Sequence, residues 1–327
     1  MTPTTRLTLA ASVALVLLAG TACGSAGGSG STESSGSAAG FPVTVASCGQ
    51  DYTYDQAPDR VLLGAPGTID TLDALGVADS AIGYTLGSYA TDESDRFDGL
   101  TSNSEDYTPS REFLVSAQPD LYLSNDEQQL LGEGAANEDD LAAIPANFYV
   151  LGDYCAGTPA PTTVDAVYKD VANLGAIYGI PDKAEQLTSS LRDRVAQAAA
   201  RNTSGEELTA AAIQVYDGKV YALAGSYYAA VLQSLGMTNI FGDFGANFSE
   251  VSREQVAAAT PDVVFAVYTG DDAARTEAIS DTAALFTDAP AIRQNRVFAW
   301  RESDFQAAGV RIVRVIEDSA DQLWPQQ

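Results

Sequence analysis

The fold is decided by a stretch that occurs twice, SREFLVSAQPDLYL at residues 110–123 and SREQVAAATPDVVF at residues 252–265. In both copies Ser-Arg-Glu is followed by six residues, then by Pro-Asp and a short apolar run. Serine is a favoured helix N-cap, proline cannot continue a helix, and the apolar run is typical of a buried strand. A helix, turn and strand repeated in this way predict two α/β lobes of similar design.

The segment between the two copies predicts how the lobes are connected. Residues 75–77 (LGV) and 235–237 (LGM) each have the pattern of a helix end with glycine at the cap. Residues 164–180 have a helical period, and Pro181 opens a longer helix that runs to about Arg201. A long helix is a stiff connector. We therefore predict an α/β fold class in which two Rossmann-like lobes are joined by a single long rigid helix, with a cleft between them.

The first 40 residues are predicted to lie outside the fold. Arg6 precedes an apolar stretch at residues 7–22, which is short for a membrane span and typical of a secretory signal peptide. The small residues before Cys23 resemble a bacterial lipobox, in which the cysteine becomes lipid-modified and N-terminal; the alternative is a stray thiol in a removed leader. Residues 24–40, rich in Gly and Ser, are typical of a flexible tether.

The predicted organisation has five parts. They are a signal peptide at 1–22, a lipid-anchored tether at 23–41, an N-terminal α/β lobe at 42–160, a linking helical segment at 161–204 and a C-terminal α/β lobe at 205–327.

Two cysteines remain in the exported part of the chain, Cys48 and Cys155. An even pair in an oxidising compartment favours one disulfide, and two free buried thiols are the alternative.

Composition excludes several classes of function. The formal net charge is −27 and the chain has no histidine. A chain this acidic, with no local basic cluster, is unsuited to binding nucleic acid or an anionic membrane surface. Without histidine there is no Ser-His-Asp triad and no zinc site of the common histidine-containing types. We predict no protein-bound metal and no cofactor, with a tyrosine-carboxylate site for bare ferric iron as the alternative.

The pieces, taken in order, resemble a known family over about residues 41–325: the substrate-binding proteins of bacterial ABC importers for ferric siderophores, haem or cobalamin. The resemblance is carried by both repeat copies and by the following short motifs: APDRV at 57–61, LGV at 75–77, PDKA at 181–184 and NRV at 295–297. It implies a class III periplasmic-binding-protein-like fold and a receptor without enzymatic activity. It also implies a lipoprotein on the outer face of the cell membrane that delivers a small molecule to an ABC permease dimer.

The resemblance also assigns a docking role to one glutamate in each repeat copy. In the family, one surface glutamate per lobe enters an arginine pocket of the permease dimer, and the matching positions are Glu112 and Glu254. Two carboxylates at equivalent sites suit a symmetric partner. The alternative is that both simply favour a helix N-terminus.

The ligand site is expected beyond the carboxyl ends of the strands, as in other open α/β sheets. The residues that follow the predicted strands are largely aromatic, with Ser124, Asn125, Phe244 and Phe248 among them. The predicted ligand-binding residues are Tyr84, Tyr89, Tyr107, Tyr227, Tyr228, Tyr268, Trp300, Arg301 and Arg311. For any single tyrosine, ordinary packing is the competing interpretation.

The absence of histidine suits a ligand whose iron is already chelated. Arg301 or Arg311 is expected to pair with oxygens of such a complex, as an arginine does in relatives. Asp106, close to Tyr107, disfavours anionic catecholate complexes and slightly favours hydroxamates. Haem, cobalamin and another iron complex are the alternatives. A more distant one is a secreted hydrolase that uses Asp139 and Asp140, or Asp271 and Asp272, as a carboxylate pair.

Overall fold

Two β-sheets, one before and one after a pair of long helices, organise the chain. The computed structural model describes residues 40–90, 94–103, 107–130, 136–144, 146–157, 163–244, 247–306 and 309–325. The predicted signal peptide, Cys23, nearly all of the tether and Asp106 lie outside these residues.

The first sheet is wholly parallel, with strand order β5-β4-β3-β6-β7, and an antiparallel β1-β2 hairpin precedes it. Its strands and the hairpin are β1 (Val43–Ser47), β2 (Gln50–Tyr54), β3 (Val61–Leu63), β4 (Ala81–Tyr84), β5 (Thr101–Ser102), β6 (Leu121–Ser124) and β7 (Asn147–Val150). The helices of this part are α1 (Ile69–Ala74), α2 (Arg111–Ala117) and α3 (Glu138–Ala142). We call these residues the first lobe.

Two helices follow, α4 (Asp165–Ile177) and α5 (Pro181–Ala199). The predicted boundaries of the longer helix are therefore close to those observed. Helix α5 packs against α4 on one side and against α11 (Arg311–Leu323) on the other. Arg194 of α5 donates from Nε to Glu317 Oε1 of α11 at 2.8 Å.

The second lobe contains the second sheet, with strand order β11-β9-β8-β12-β13 and β10 beside the start of β8. Strands β8, β12, β13 and β10 are parallel to one another. At one edge of the sheet, β9 pairs antiparallel with β8, and β11 pairs antiparallel with β9. Its strands are β8 (Thr209–Tyr216), β9 (Lys219–Ala222), β10 (Thr238–Asn239), β11 (Ser249–Val251), β12 (Val263–Tyr268) and β13 (Val297–Arg301). Its remaining helices are α6 (Ser226–Ser234), α7 (Arg253–Ala258), α8 (Asp272–Ala283), α9 (Pro290–Arg293) and α10 (Glu302–Gln306). The predicted α/β fold class is confirmed.

The repeated sequence forms the same structure in both lobes. Ser110 Oγ accepts a hydrogen bond from Phe113 N at the start of α2, and Ser252 Oγ accepts one from Gln255 N at the start of α7, each at 3.1 Å. The aspartate of each Pro-Asp pair fastens the neighbouring strand. Asp120 accepts from Arg60 N at 3.1 Å, just before β3, and Asp262 accepts from Thr209 N at 2.9 Å, at the start of β8. The repeat therefore encodes both a helix N-cap and an aspartate that hydrogen-bonds to the backbone at the start of the neighbouring strand.

The glycine-containing helix ends also match. Gly76 follows α1 with φ of 65° and Gly236 follows α6 with φ of 70°, left-handed values that glycine adopts without strain. In both, the next residue donates a backbone hydrogen bond to a carbonyl five residues earlier, Val77 to Leu72 and Met237 to Leu232, at 2.9 Å. These bonds satisfy helix-end carbonyls.

The apolar core runs from one lobe into the other. One cluster of buried side chains includes Leu121 of β6, Leu174 of α4, Leu191 of α5, Phe265 of β12 and Ile312 of α11. Among the described residues, no helix is both long enough and apolar enough to cross a membrane.

Candidate ligand-binding site

A cavity of about 260 Å³ lies where the two lobes face each other, beyond the carboxyl ends of central strands. The first lobe contributes the segments that follow β6 and β7 and the loop before α2. The second lobe contributes the start of α6, the loop before β11 and the end of α10. The lining residues are Tyr107, Asn125, Asp126, Tyr154, Ser226, Tyr228, Asn247, Phe248, Phe305 and Gln306.

Asp126 is held in place by its own loop. Its Oδ1 accepts from Gln128 N at 2.9 Å, and its Oδ2 accepts from the Tyr107 hydroxyl. Ser124 Oγ donates to the backbone carbonyl of Asp126 at 2.7 Å. Among the described residues that line the cavity, Asp126 is the one charged side chain, and none is a lysine or an arginine.

Tyr154 is positioned by a cross-linked turn after β7. Its backbone carbonyl accepts from Glu127 N at 3.0 Å, so this turn is bonded to the segment that carries Asp126. The next residue, Cys155, forms a disulfide with Cys48 in the turn of the β1-β2 hairpin. The disulfide thus anchors one wall of the cavity to the N-terminal hairpin.

The second lobe supplies an aromatic wall. Tyr228 stacks on Phe305, with ring centroids 4.1 Å apart and planes 15° apart, and meets Phe248 edge-on at 6.2 Å. Such pairs have defined geometry and large apolar faces, so they hold a ligand surface of fixed shape.

Two buried polar atoms at the cavity have no hydrogen-bond partner among the described residues: Asn125 Oδ1 and the Tyr228 hydroxyl. The other end of the Asn125 amide crosses between the lobes, because Nδ2 donates to the Gln306 carbonyl at 2.9 Å. An unmet buried polar group costs about 1–3 kcal/mol. A ligand that bonds to these atoms would recover that energy.

The tyrosine hydroxyls at the cavity are kept in their neutral form. Burial raises the pKa of Tyr228, and burial followed by the hydrogen bond to Asp126 raises the pKa of Tyr107. Burial also raises the pKa of Tyr154. In the ligand-free protein these hydroxyls are therefore protonated, and each can donate or accept a hydrogen bond.

Two of the nine predicted ligand residues, Tyr107 and Tyr228, line this cavity. Tyr84 packs against Phe97 with ring centroids 5.1 Å apart. Tyr227 is buried in the core next to Tyr154, with centroids 6.0 Å apart. Tyr89 is half-buried, and its pKa is raised by burial and by nearby Glu302 of the second lobe. The structure places Tyr84, Tyr89 and Tyr227 outside the lining.

Three other predicted residues surround a smaller pocket of about 130 Å³ between β13, α10 and α11. Trp300 stacks on Phe265 at 3.9 Å, and its Nε1 donates to Ser319 Oγ at 2.9 Å, so it is mainly a core residue. Arg301 donates from Nε to the Tyr268 hydroxyl at 3.3 Å. The prediction that they lie at strand ends is correct, but they line this smaller pocket and not the main cavity.

Arg311 is not brought to the cavity. Its buried guanidinium pairs with Asp70 of α1 and so joins the two lobes. Burial on its own would raise the pKa of Asp70, but the guanidiniums of Arg311 and Arg96 outweigh it and lower that pKa.

Sequence reasoning missed several lining residues, chiefly Asp126, Tyr154 and Phe305. Asp126 comes directly after Asn125 at the end of β6, so the strand-end rule would have reached it one residue further on. Tyr154 lies beyond a tight turn and Phe305 lies within a helix. No strand-end pattern points to either of them.

One carboxylate of each pair considered for a hydrolase has a structural role. Asp140 completes the capping box at the start of α3 and pairs with Arg111 at 3.0 Å. Asp271 caps α8 by accepting from Ala273 N and Ala274 N.

Glu112 and Glu254 occupy equivalent, exposed positions in the first turns of α2 and α7. Each of these helices leads into a central strand of its sheet, β6 or β12. The backbone amide of Glu254 itself and the Ser252 hydroxyl bond to the Glu254 carboxylate and lower its pKa.

Two sheets with a ligand cavity between their strand ends define a two-lobed binding protein. The family model described as "Periplasmic binding protein" matches residues 61–303, and the chain belongs to that family. The resemblance read from the sequence is thereby confirmed, and with it the class III periplasmic-binding-protein fold.

Individual relatives are similar over most of the chain. An uncharacterized ABC transporter substrate-binding lipoprotein of Bacillus subtilis is 23% identical over 323 residues, which are 96% of this chain and 95% of that one. A cobalamin-binding protein of Halobacterium salinarum is 24% identical over 80% of this chain and 67% of its own. The crystal structure of an ABC-type Fe3+-hydroxamate transport system from Saccharomonospora viridis is 27% identical, with a TM-score of 0.69, covering 86% of this chain and 99% of that one.

Proposed function

We propose that this protein captures a ferric siderophore in the cavity between its lobes and delivers it to an ABC importer, with hydroxamate complexes slightly favoured. The carrying observation is the cavity wall, which combines five aromatic rings, uncharged amides and the single carboxylate of Asp126. Aromatic faces bury a large ligand, and the described residues of the wall include no lysine or arginine, which disfavours an anionic catecholate complex. The Fe3+-hydroxamate relative supports the same choice.

The size of the cavity adds a requirement. Its volume of about 260 Å³ lies below the range of about 300–1,000 Å³ that is usual for ligand pockets. A complete ferric complex therefore needs the lobes to separate locally. The hydrogen bond between Asn125 and Gln306 links the two lobes at the cavity.

Haem and cobalamin are the second candidates. The cobalamin-binding relative favours the latter, because it is as similar in sequence as the lipoprotein relative. Cobalamin is larger than a trihydroxamate complex and demands a wider opening of the cleft.

We also propose how the receptor is anchored and how it contacts its permease. Signal-peptide cleavage and lipidation at Cys23 would leave the lobes on a Gly/Ser tether at the outer face of the membrane. Glu112 and Glu254 would then contact the permease dimer, one from each lobe.

The test is a titration of the mature protein with ferric hydroxamates, ferric catecholates, haem and cobalamin, followed by intrinsic fluorescence. Trp300 lies 6.3 Å from Tyr228 of the cavity wall, so a ligand at this wall should change the emission. Saturable binding of a hydroxamate complex, tighter than that of the other three classes, is expected. Silence across the whole panel would refute the receptor function.

A matched pair of variants locates the binding. Phe248→Ala removes a lining ring and should weaken binding about tenfold. Phe244→Ala removes a ring of similar exposure, 45% against 42%, from the same loop but outside the lining, and should leave the affinity unchanged. Equal effects of the two would place the ligand elsewhere.

A further inference from the structure

The first-lobe wall of the cavity presents two adjacent hydrogen-bond acceptors. Asn125 is 7% exposed, and its Oδ1 is buried at the cavity without a hydrogen-bond partner among the described residues. The next residue, Asp126, adds a carboxylate. Each carboxylate oxygen has capacity for more than the single bond it accepts here.

The orientation of the Asn125 amide is set by its surroundings. Its NH₂ group faces the backbone carbonyl of Gln306, which can only accept. Turning the amide over would bring two oxygens together and lose that bond. Oδ1, an acceptor, is therefore the atom left for a ligand.

The charge of Asp126 is not balanced within the cavity. Its two recorded partners, the Tyr107 hydroxyl and Gln128 N, are neutral donors, and the described lining residues include no basic side chain. The same cavity is lined by the rings of Tyr154, Phe248 and Phe305. Aromatic faces attract cations, and the partly buried carboxylate of Asp126 favours a positively charged partner.

We propose that Asn125 and Asp126 form a subsite for a protonated amine of the ligand. The ammonium donates to Asn125 Oδ1 and to the Asp126 carboxylate, with aromatic faces enclosing its methylene chain. This inference rests on the proposed function and narrows its ligand class to ferric hydroxamate complexes that carry a free primary amine.

The experiment compares two ligands that differ only in that charge: the ferric complex of a linear trihydroxamate ending in a primary amine, and the same complex after acetylation of the amine. At pH 7 the amine-bearing complex is expected to bind at least tenfold more tightly. The preference should shrink as salt is added, because an ion pair at a partly open site is screened.

Charge-neutral variants assign the effect to the subsite. Asp126→Asn should reduce the preference to less than threefold, with the acetylated complex bound as well as by the wild type. Asp243→Asn removes the same charge at an exposed position outside the lining, and should keep the full preference. Thermal unfolding of both variants verifies that each is folded.

The outcomes separate the two proposals. If both complexes bind with equal affinity, or the acetylated one binds more tightly, the ammonium subsite is refuted while the receptor function stands. Loss of the preference in Asp243→Asn as well would also overturn it. If neither complex binds and the wider panel is silent, the proposed function itself fails.

Discussion

One buried tyrosine at the cavity differs from a buried tyrosine in the core in its hydrogen bonding. Tyr228 is 4% exposed, yet its hydroxyl has no hydrogen-bond partner among the described residues. Tyr149, equally buried, donates to Asp170 Oδ1 at 2.9 Å and accepts from Asn173 Nδ2 at 2.8 Å. A buried tyrosine hydroxyl thus has hydrogen-bond partners in the core, at Tyr149, and has none among the described residues at the cavity, at Tyr228.

This contrast gives a prediction for Tyr228→Phe. Removing an unmet buried hydroxyl should raise the free energy of unfolding of the ligand-free protein by about 1 kcal/mol, while ligand affinity falls several-fold. Urea unfolding and fluorescence titration measure the two effects. Tyr149→Phe is the control and should lower stability by about 1 kcal/mol or more without a direct effect on binding. A loss of stability in Tyr228→Phe would mean that its hydroxyl has a partner in the fold.

Asp170 is a buried carboxyl whose protonation is tied to folding. It accepts from Gly152 N at 2.7 Å and from the Tyr149 hydroxyl, and burial raises its pKa to about 7 despite these bonds. A folded-state pKa above the ordinary value means that Asp170 contributes fully to stability below about pH 4 and loses that contribution as the pH rises through about 7.

We therefore expect Asp170→Asn to gain stability relative to the wild type as the pH rises. The difference between the two free energies of unfolding should grow by roughly 3 kcal/mol between pH 4 and pH 8. Urea unfolding at several pH values measures it. Asp165→Asn, exposed at the start of the same helix, should show a flat difference. A flat difference for Asp170→Asn too would contradict the assignment.

At the scale of elements, α1 of the first lobe is fastened to α11 of the second. Asp70 on α1 pairs with the buried Arg311 on α11, and Val310 N donates to Thr71 Oγ1 at 3.3 Å. Gly309, with φ of 64°, lies so close that a Cβ there would be 2.1 Å from Thr71 Oγ1. The close approach of these two helices therefore requires glycine.

The helix contact predicts a large effect for Asp70→Asn. Of the two carboxylates that pair with the buried Arg311 among the described contacts, this change leaves Asp304, at the longer distance of 3.8 Å. Removing one member of a buried pair costs about 3–5 kcal/mol, and a loss near 3 kcal/mol is expected because Asp304 remains. Asp73→Asn on the same helix, 65% exposed, should change stability by less than about 0.5 kcal/mol. Urea unfolding compares them; similar small losses would show that the pair does not hold the lobes together.

At the scale of the whole molecule, the repeat gives the two lobes matching surfaces. Glu112 and Glu254 lie in the first turns of two equivalent helices, α2 and α7. Each helix precedes a central strand of its sheet. A pseudo-symmetric pair of carboxylates suits a two-fold symmetric partner, because both can be engaged at once.

The docking proposal predicts that Glu112→Arg combined with Glu254→Arg abolishes ligand uptake by cells that express the cognate importer. Ligand affinity of the purified protein should be unchanged, because both residues lie outside the cavity lining. Glu185→Arg combined with Glu277→Arg makes the same charge change at exposed positions on α5 and α8 and should preserve uptake. Equal loss of uptake in both double variants would point to net charge rather than to docking.

Much of the architecture could be predicted from local patterns. Ser110 and Ser252 at helix starts, Gly76 and Gly236 at helix ends, and Pro181 at the start of α5 each act within a few residues of chain. The cavity wall could not be read in the same way. It depends on which strand ends face each other, and Trp300 shows the limit: it follows the strand-end rule but stacks in the core on Phe265.

The sequence by itself determined the two-lobed α/β fold, the connecting helix and the family, because caps, helix stops and buried strands are local features and the repeat displays them twice. Only the tertiary structure decided that Asn125, Asp126 and Tyr154 meet Tyr228 and Phe305 at one cavity, and that Arg311 joins the lobes instead. The physical reason is that these contacts connect residues more than a hundred positions apart, so they follow from the packing of whole helices and sheets and leave no periodic trace in the chain.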